Sequence, residues 1–202
     1  MCRRNGGLTL IELLVVLLVI LTLALIAIPP FLNARLRADV ARVNQDLQYL
    51  ESAIEFYYLD HKRYPESSDD LVLSQSKSGN GDSEGLLRLT TPVKYIDHLP
   101  EDRFHDWRLL DSSELTYHFG SGSPNGVKRK EHVIPAWILV SVGPDNILNS
   151  KGIDNFPFGT RVTEYSPDNG LRSEGDIVRY GGEWTQGDWF LNEKRIKPAD
   201  EF

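Results

Sequence analysis

The chain has 202 residues, 41% hydrophobic and 25% charged, with a formal net charge of -7, which suits one modest globular domain plus an additional segment. The acidic balance argues against nucleic-acid binding, and a single cysteine, Cys2, leaves no pair for an internal disulfide. Charge is unevenly spread: Leu13 to Leu32 carries none, and apart from Arg3, Arg4 and Glu12 every charged residue follows Asn33.

In chain order, the basic start Arg3-Arg4 precedes this uncharged run. A helix rising about 1.5 Å per residue covers roughly 30 Å over such a length, the thickness of a bilayer core. No small-residue cleavage pattern follows the run, so it reads as a retained span and not as a removed secretory signal. Cys2 precedes the run, which excludes a lipoprotein anchor. Arg3 and Arg4 hold the N-terminus in the cytoplasm by the positive-inside bias, and Arg35 and Arg37 snorkel to headgroups on the far side. Glu12 is the anomaly, because a carboxylate one turn inside an apolar helix costs a few kcal/mol on insertion scales and needs a partner.

Pro29 and Pro30 predict a kink or local melt. Beyond them Leu36, Val40, Val43, Leu47, Leu50, Ile54 and Tyr57 recur at spacings of four and three with polar residues between, an amphipathic helix over 33–60 whose stripe is expected to pack on a sheet. Pro65 disfavours a helical Tyr64 and closes that helix. Ser74 to Gly85 has no apolar residue and reads as a surface loop. Leu115 to Phe119 and Val133 to Val142 read as two strands of an antiparallel hairpin joined through Gly120 to Gly126. Trp137 is expected in the core, and Trp184 and Trp189 in local packing, in preference to a sugar-stacking surface with Trp107.

From Asp145 to Asp176 the chain is rich in Asp, Asn and Gly. Several loop carboxylates and carbonyls are what Ca²⁺ takes, although turns use the same residues. The five histidines, His61, His98, His105, His118 and His132, show no metal-ligand spacing, and neither a nucleophile elbow nor a phosphate loop is present. An enzyme anchored by its N-terminal helix is the competing class, and no motif speaks for it.

Gly6-Gly7-Leu8-Thr9-Leu10-Ile11-Glu12 resembles the processing site of type IV prepilins and pseudopilins. Three further segments, Tyr58-Leu59-Asp60-His61-Lys62-Arg63-Tyr64-Pro65, Tyr95-Ile96-Asp97-His98-Leu99-Pro100-Glu101-Asp102 and Ser141-Val142-Gly143-Pro144-Asp145, are similar in order to elements of G-type major pseudopilins of type II secretion systems. The resemblance implies an α+β, pilin-like fold: a leader over 1–7, a transmembrane and filament-core helix over 8–32, and a periplasmic domain over 33–202. That domain would hold the amphipathic helix and a globular part, 61–202, with a small antiparallel sheet and a long C-terminal loop region.

It further implies cleavage between Gly7 and Leu8 by a prepilin peptidase, methylation of the Leu8 amine, and Glu12 neutralising a neighbour's amine in a homo-oligomeric filament. Minor pseudopilins and an inner-membrane assembly platform are the implied partners, and a minor type IV pilus subunit for adhesion or DNA uptake is the alternative. Calcium is expected at Asp145 and Asp176, with Asp154 and Asp168 as further candidate ligands. Loss of residues 1–7 would take Arg3 and Arg4 with it, moving the formal charge from -7 to -9, and would leave no cysteine.

Overall fold

α1 spans Leu10–His61. The computed structural model describes residues 9–66, 85–105, 117–122 and 134–197, and the chain divides into two compact units, Met1–Ala38 and Asp39–Phe202. In the first unit the large apolar side chains from Leu10 to Leu32 are each at least half exposed, on a helix long and apolar enough to cross a membrane. The expected melt at Pro29 and Pro30 does not occur, for both lie inside the helix. Proline's fixed φ is itself helical; its cost is the missing donor, here the partners of the Leu25 and Ile26 carbonyls.

In the second unit the predicted stripe is buried: Val43, Leu47, Leu50, Ile54 and Tyr57 face inward, joined by Ala53. Leu36 and Val40 are only half-buried. The helix stops at His61, where Lys62 turns to φ +56° and donates its N–H to the Tyr58 carbonyl, three residues ahead of Pro65.

The hairpin forms with shorter strands than expected. β1 (His118–Ser121) pairs antiparallel with β2 (Ala136–Ser141); residues 115–116, 123–126 and 133 lie outside the described residues, as do 74–84 of the expected loop. Gly85 instead opens a 3-10 turn, Gly85–Leu89, which buries Leu86 and Leu89. The region read as a long C-terminal loop carries four more strands, β3 (Phe158–Val162), β4 (Ile177–Gly182), β5 (Asp188–Leu191) and β6 (Lys194–Ile196). β4 completes one sheet in the order β1-β2-β4 and the others form a second in the order β3-β5-β6, where the β3–β5 pair is parallel.

β2 sits between layers and is buried at every position. Its Ala136, Ile138 and Val140 join Ile153, Phe156, Val162 and Trp189 in one core cluster with the second sheet. Alternate residues of a strand face opposite ways, and Trp137 accordingly meets α1: its indole N–H donates to Glu55 at 2.8 Å. Two more bonds tie helix to sheet region, Arg179 to Glu51 at 2.5 Å and Tyr117 to Asp46 at 3.2 Å. Opposite Trp137 in the register stands Gly181; a Cβ there would lie 2.6 Å from the indole, so the glycine makes room for the ring.

Two motif segments meet in this core. Asp102, 4% exposed, accepts from the Phe104 N–H, the Ser141 hydroxyl and the Val142 N–H; burial raises its carboxyl despite these bonds. His105 and His118 lie with ring centroids 6.0 Å apart, and His118 Nε2 and both His105 nitrogens are buried without a hydrogen-bond partner. Burial first, then His105, pulls His118 down from 6.5 to about 4.

A depressed imidazole means that the unfolded chain binds the proton more readily. The stability this neutral ring confers is therefore complete above pH 6.5 and is lost as pH falls toward 4, on the order of 3 kcal/mol over the interval. The raised carboxyl of Asp102 works in the opposite sense, so the comparison with His118→Phe isolates the histidine. Wild type is expected to lose more melting temperature than His118→Phe between pH 7 and pH 4.5 in calorimetry; parallel curves would show that His118 does not titrate on unfolding.

Candidate functional site

Two places carry the residues singled out by sequence. At the N-terminus, Gly7 and Leu8 lie outside the described residues, and the structure begins with a closed cap. Glu12 Oε2 accepts from the Thr9 N–H at 3.2 Å and from the Thr9 hydroxyl at 3.1 Å, while the Glu12 N–H donates to Thr9 Oγ1 at 3.3 Å. This is a capping box: residue and helix start satisfy each other's orphan donors. Both bonds to the carboxylate end on Oε2. The S/T-x-x-E spacing that announces such a box stands in Thr9-Leu10-Ile11-Glu12, and it makes Thr9 a partner of Glu12 within the same chain.

The second place is where the arm after β2 meets the arm before β4. Gly143 adopts φ +71°, and a Cβ on it would fall 2.3 Å from the Gly175 carbonyl oxygen, so only glycine lets the arms approach. Asp145 turns back on its own loop, its Oδ1 accepting from the Ile147 N–H at 3.1 Å. Its Oδ2 is buried with no hydrogen-bond partner.

Asp176, fully buried, accepts from the Asn149 N–H at 3.2 Å and the Ser150 N–H at 2.6 Å. The Asn149 side-chain oxygen in turn accepts from Gly175 N–H at 2.8 Å. Burial raises the Asp176 carboxyl, its hydrogen bonds lower it, and the charge of Asp145 raises it again. An acid with a raised folded pKa loses stability as pH rises through that value, a cost that a cation between the two carboxylates would remove.

The structure thus brings Asp145 and Asp176 together across 31 positions of sequence. Asp154 falls on the 3-10 turn Ile153–Asn155 and Asp168 on the exposed turn Pro167–Asn169. Among the described residues no group of three or more His, Cys, Asp or Glu side chains is placed to hold a metal ion. The donor chemistry here is two carboxylates that feel each other's charge, one with an orphaned oxygen: hard oxygen donors of the kind that Ca²⁺ takes in preference to softer metals.

Comparison with known proteins bears on about two thirds of the chain. Residues 2–28 match the prokaryotic N-terminal methylation motif. The type II secretion system core protein G of Klebsiella pneumoniae is 30% identical over 139 residues, covering 68% of this chain and 97% of that protein. Its namesake from Klebsiella michiganensis is 37% identical over 140 residues, 68% of this chain and 96% of the relative, and that of Escherichia coli K12 is 30% identical over 144 residues, 67% and 93%. No solved structure matches. Full-length correspondence to these relatives, with the methylation motif at the same end as the exposed apolar helix, means that the chain belongs to the family of type II secretion system core protein G.

Proposed function

We propose that this chain is the structural subunit of a type II secretion pseudopilus, a filament built from membrane-held precursors that moves proteins across the outer membrane. The observation that carries the reading is the match to core protein G over nearly the whole length of the relatives. All the relatives compared carry that name, which favours a secretion pseudopilin over a minor type IV pilus subunit. The role is mechanical and assigns no catalysis to the chain.

In this reading a prepilin peptidase cuts between Gly7 and Leu8 and the new Leu8 amine is methylated. Before assembly the chain is a single-pass inner-membrane protein, N-terminus cytoplasmic and domain periplasmic; afterwards its partners are further copies, minor pseudopilins and the assembly platform. Mass spectrometry of the extracted protein should find Leu8 at the N-terminus, heavier than the unmodified residue by about 14 Da, the mass of one methylene. A first residue beyond Leu32 would overturn the reading.

Glu12 has two states in this scheme. In a single copy its Oε2 is held by Thr9, which softens the cost of a carboxylate near lipid; in the filament the acid neutralises the Leu8 amine of a neighbour, since an unpaired charge in an apolar bundle is far costlier than a paired one. Glu12→Gln keeps the capping geometry and loses the charge, whereas Glu12→Ala loses both. Both variants should insert in the membrane at wild-type levels and both should fail in sheared-filament assays. Filaments of normal yield from Glu12→Gln would reduce the residue to a helix cap.

Calcium is the proposed clamp on the two arms, with Asp145 and Asp176 as carboxylate ligands and carbonyls and water completing the shell; Asp154 and Asp168 are not required. Its contribution is electrostatic, joining two acids that otherwise repel. A ligand that binds only the folded state stabilises it by about 2.7 kcal/mol at a hundredfold excess over Kd, so chelation should lower the melting temperature of the detergent-extracted chain. Asp145→Ala should mimic chelation without adding to it, and Mg²⁺ should rescue poorly because it demands tight octahedral geometry. Identical melting with calcium and with chelator would leave the arms held by hydrogen bonds alone.

A further inference from the structure

The outer face of the second sheet carries a row of cations in an otherwise acidic chain. Lys151 and Arg161 stand opposite each other in an antiparallel bridge, where each backbone N–H donates to the other's carbonyl at 2.8 and 2.9 Å. Arg161 is in register with Phe190 on β5, and Phe190 with Arg195 on β6. Residues directly opposite in a sheet project from the same face, so Lys151, Arg161, Phe190 and Arg195 run side by side. The rings and guanidinium groups confirm it: Arg161 lies 4.9 Å and Arg195 6.0 Å from the centroid of Phe190. Val162 and Trp189, the next residues along β3 and β5, point the other way into the core.

Like charges directly opposite one another destabilise a sheet unless an anion lies between them. One member of this row has its anion, for Asp188 takes two bonds from Arg195, at 2.6 and 2.5 Å. Lys151 and Arg161 are exposed, and neither belongs to any ion pair among the described residues. A guanidinium stacked on a ring keeps its N–H donors in its own plane, where they match a carboxylate's two oxygens. Arg161 is therefore oriented for an acid that no described residue of its own chain brings to it.

The complement lies on the loop between β3 and β4. Glu164, Asp168 and Glu174 are all exposed and likewise absent from the ion pairs of the described residues. The loop is shaped by its own bonds: Tyr165 N–H to the Asp176 carbonyl and Asp176 N–H to the Thr163 carbonyl, each 2.8 Å, close its base. The Ser173 hydroxyl donates to the Ser166 carbonyl at 2.7 Å across its body. Each copy thus presents, among the described residues, a basic pair with no ion-pair partner and a loop whose three exposed acids outnumber its one cation, Arg172.

We propose that the Lys151–Arg161 row of one subunit takes the acidic 164–174 loop of a second copy. The inference rests on the filament reading and names one of the contacts that would repeat in it. A contact between two different faces does not close on itself and propagates along an open helical assembly. Copies whose net charge of -7 becomes -9 once Arg3 and Arg4 leave with residues 1–7 repel one another, and pairing opposite patches at each step offsets that repulsion. Each exposed ion pair is weak and screened by salt, so the contact orients neighbours more than it binds them.

The test is a charge swap in the full-length chain, with sheared filament as the readout and thermal melting as the folding control. Lys151→Glu with Arg161→Glu should reduce filament yield several-fold at unchanged melting temperature, as should Glu164→Lys with Asp168→Lys and Glu174→Lys. All five substitutions in one chain should restore assembly. In a separate chain, Arg161→Cys with Asp168→Cys should give a ladder of disulfide-linked oligomers on oxidation of filaments. Normal filaments from the Lys151→Glu, Arg161→Glu chain, or a loss that the five-fold swap does not restore, overturns the contact and leaves the filament reading standing. A wild-type chain that makes no filament overturns both.

Discussion

β2 has water on neither face, and the architecture of the larger unit follows from that. A six-residue strand buried throughout must have its backbone groups paired on both edges and its side chains covered on both sides. β1 and β4 provide the edges. α1 and the second sheet provide the covers, one meeting Trp137 and the other meeting Ala136, Ile138 and Val140. The polar groups drawn into this core are satisfied from segments far apart in sequence, as when Asp102 binds Ser141 and the backbone of Val142. The motif segments 95–102 and 141–145 are thus two halves of one buried hydrogen-bonded joint.

The first unit is built on the reverse principle. Its large apolar residues are exposed along the whole run, on a helix long and apolar enough to cross a membrane. Glu12 stands out in such a surface, and the capping box with Thr9 supplies a local answer to an isolated carboxylate. A helix start needs acceptors for its orphan N–H groups, and an acid near lipid needs donors. The same pair of residues meets both needs.

What was readable in the sequence depended on how local the signal was. The stripe from Val43 to Tyr57 repeats at the helix period and was read directly; Ala53 was not, because a methyl group contributes little to an apolar pattern. β2 announced itself by an unbroken apolar run. β3, β5 and β6 did not, being three to five residues long and punctuated by Gly159 or by charge, with β3 paired to a segment thirty positions away. Nor did any spacing reveal that Asp145 and Asp176 meet; the family likeness pointed to them, and the close approach of Gly143 and Gly175 explains the meeting. Thr9 was written in the sequence as a capping signature, yet the anomaly of Glu12 drew attention to distant partners and away from the nearest one.

The bonds between α1 and the sheet region have a further consequence. Asp46, Glu51 and Glu55 each hold a separate element, through Tyr117, Arg179 and Trp137, and at about 1.5 Å per residue they are spread over roughly 14 Å of helix. Any load along the helix axis passes between helix and domain through these attachments. Attachments strung along the direction of thrust are sheared together and share the load, whereas attachments gathered at one end would be peeled one after another. The domain is fastened to its helix like a plank riveted along its length, and slip requires these fastenings to fail together with the buried stripe from Val43 to Tyr57.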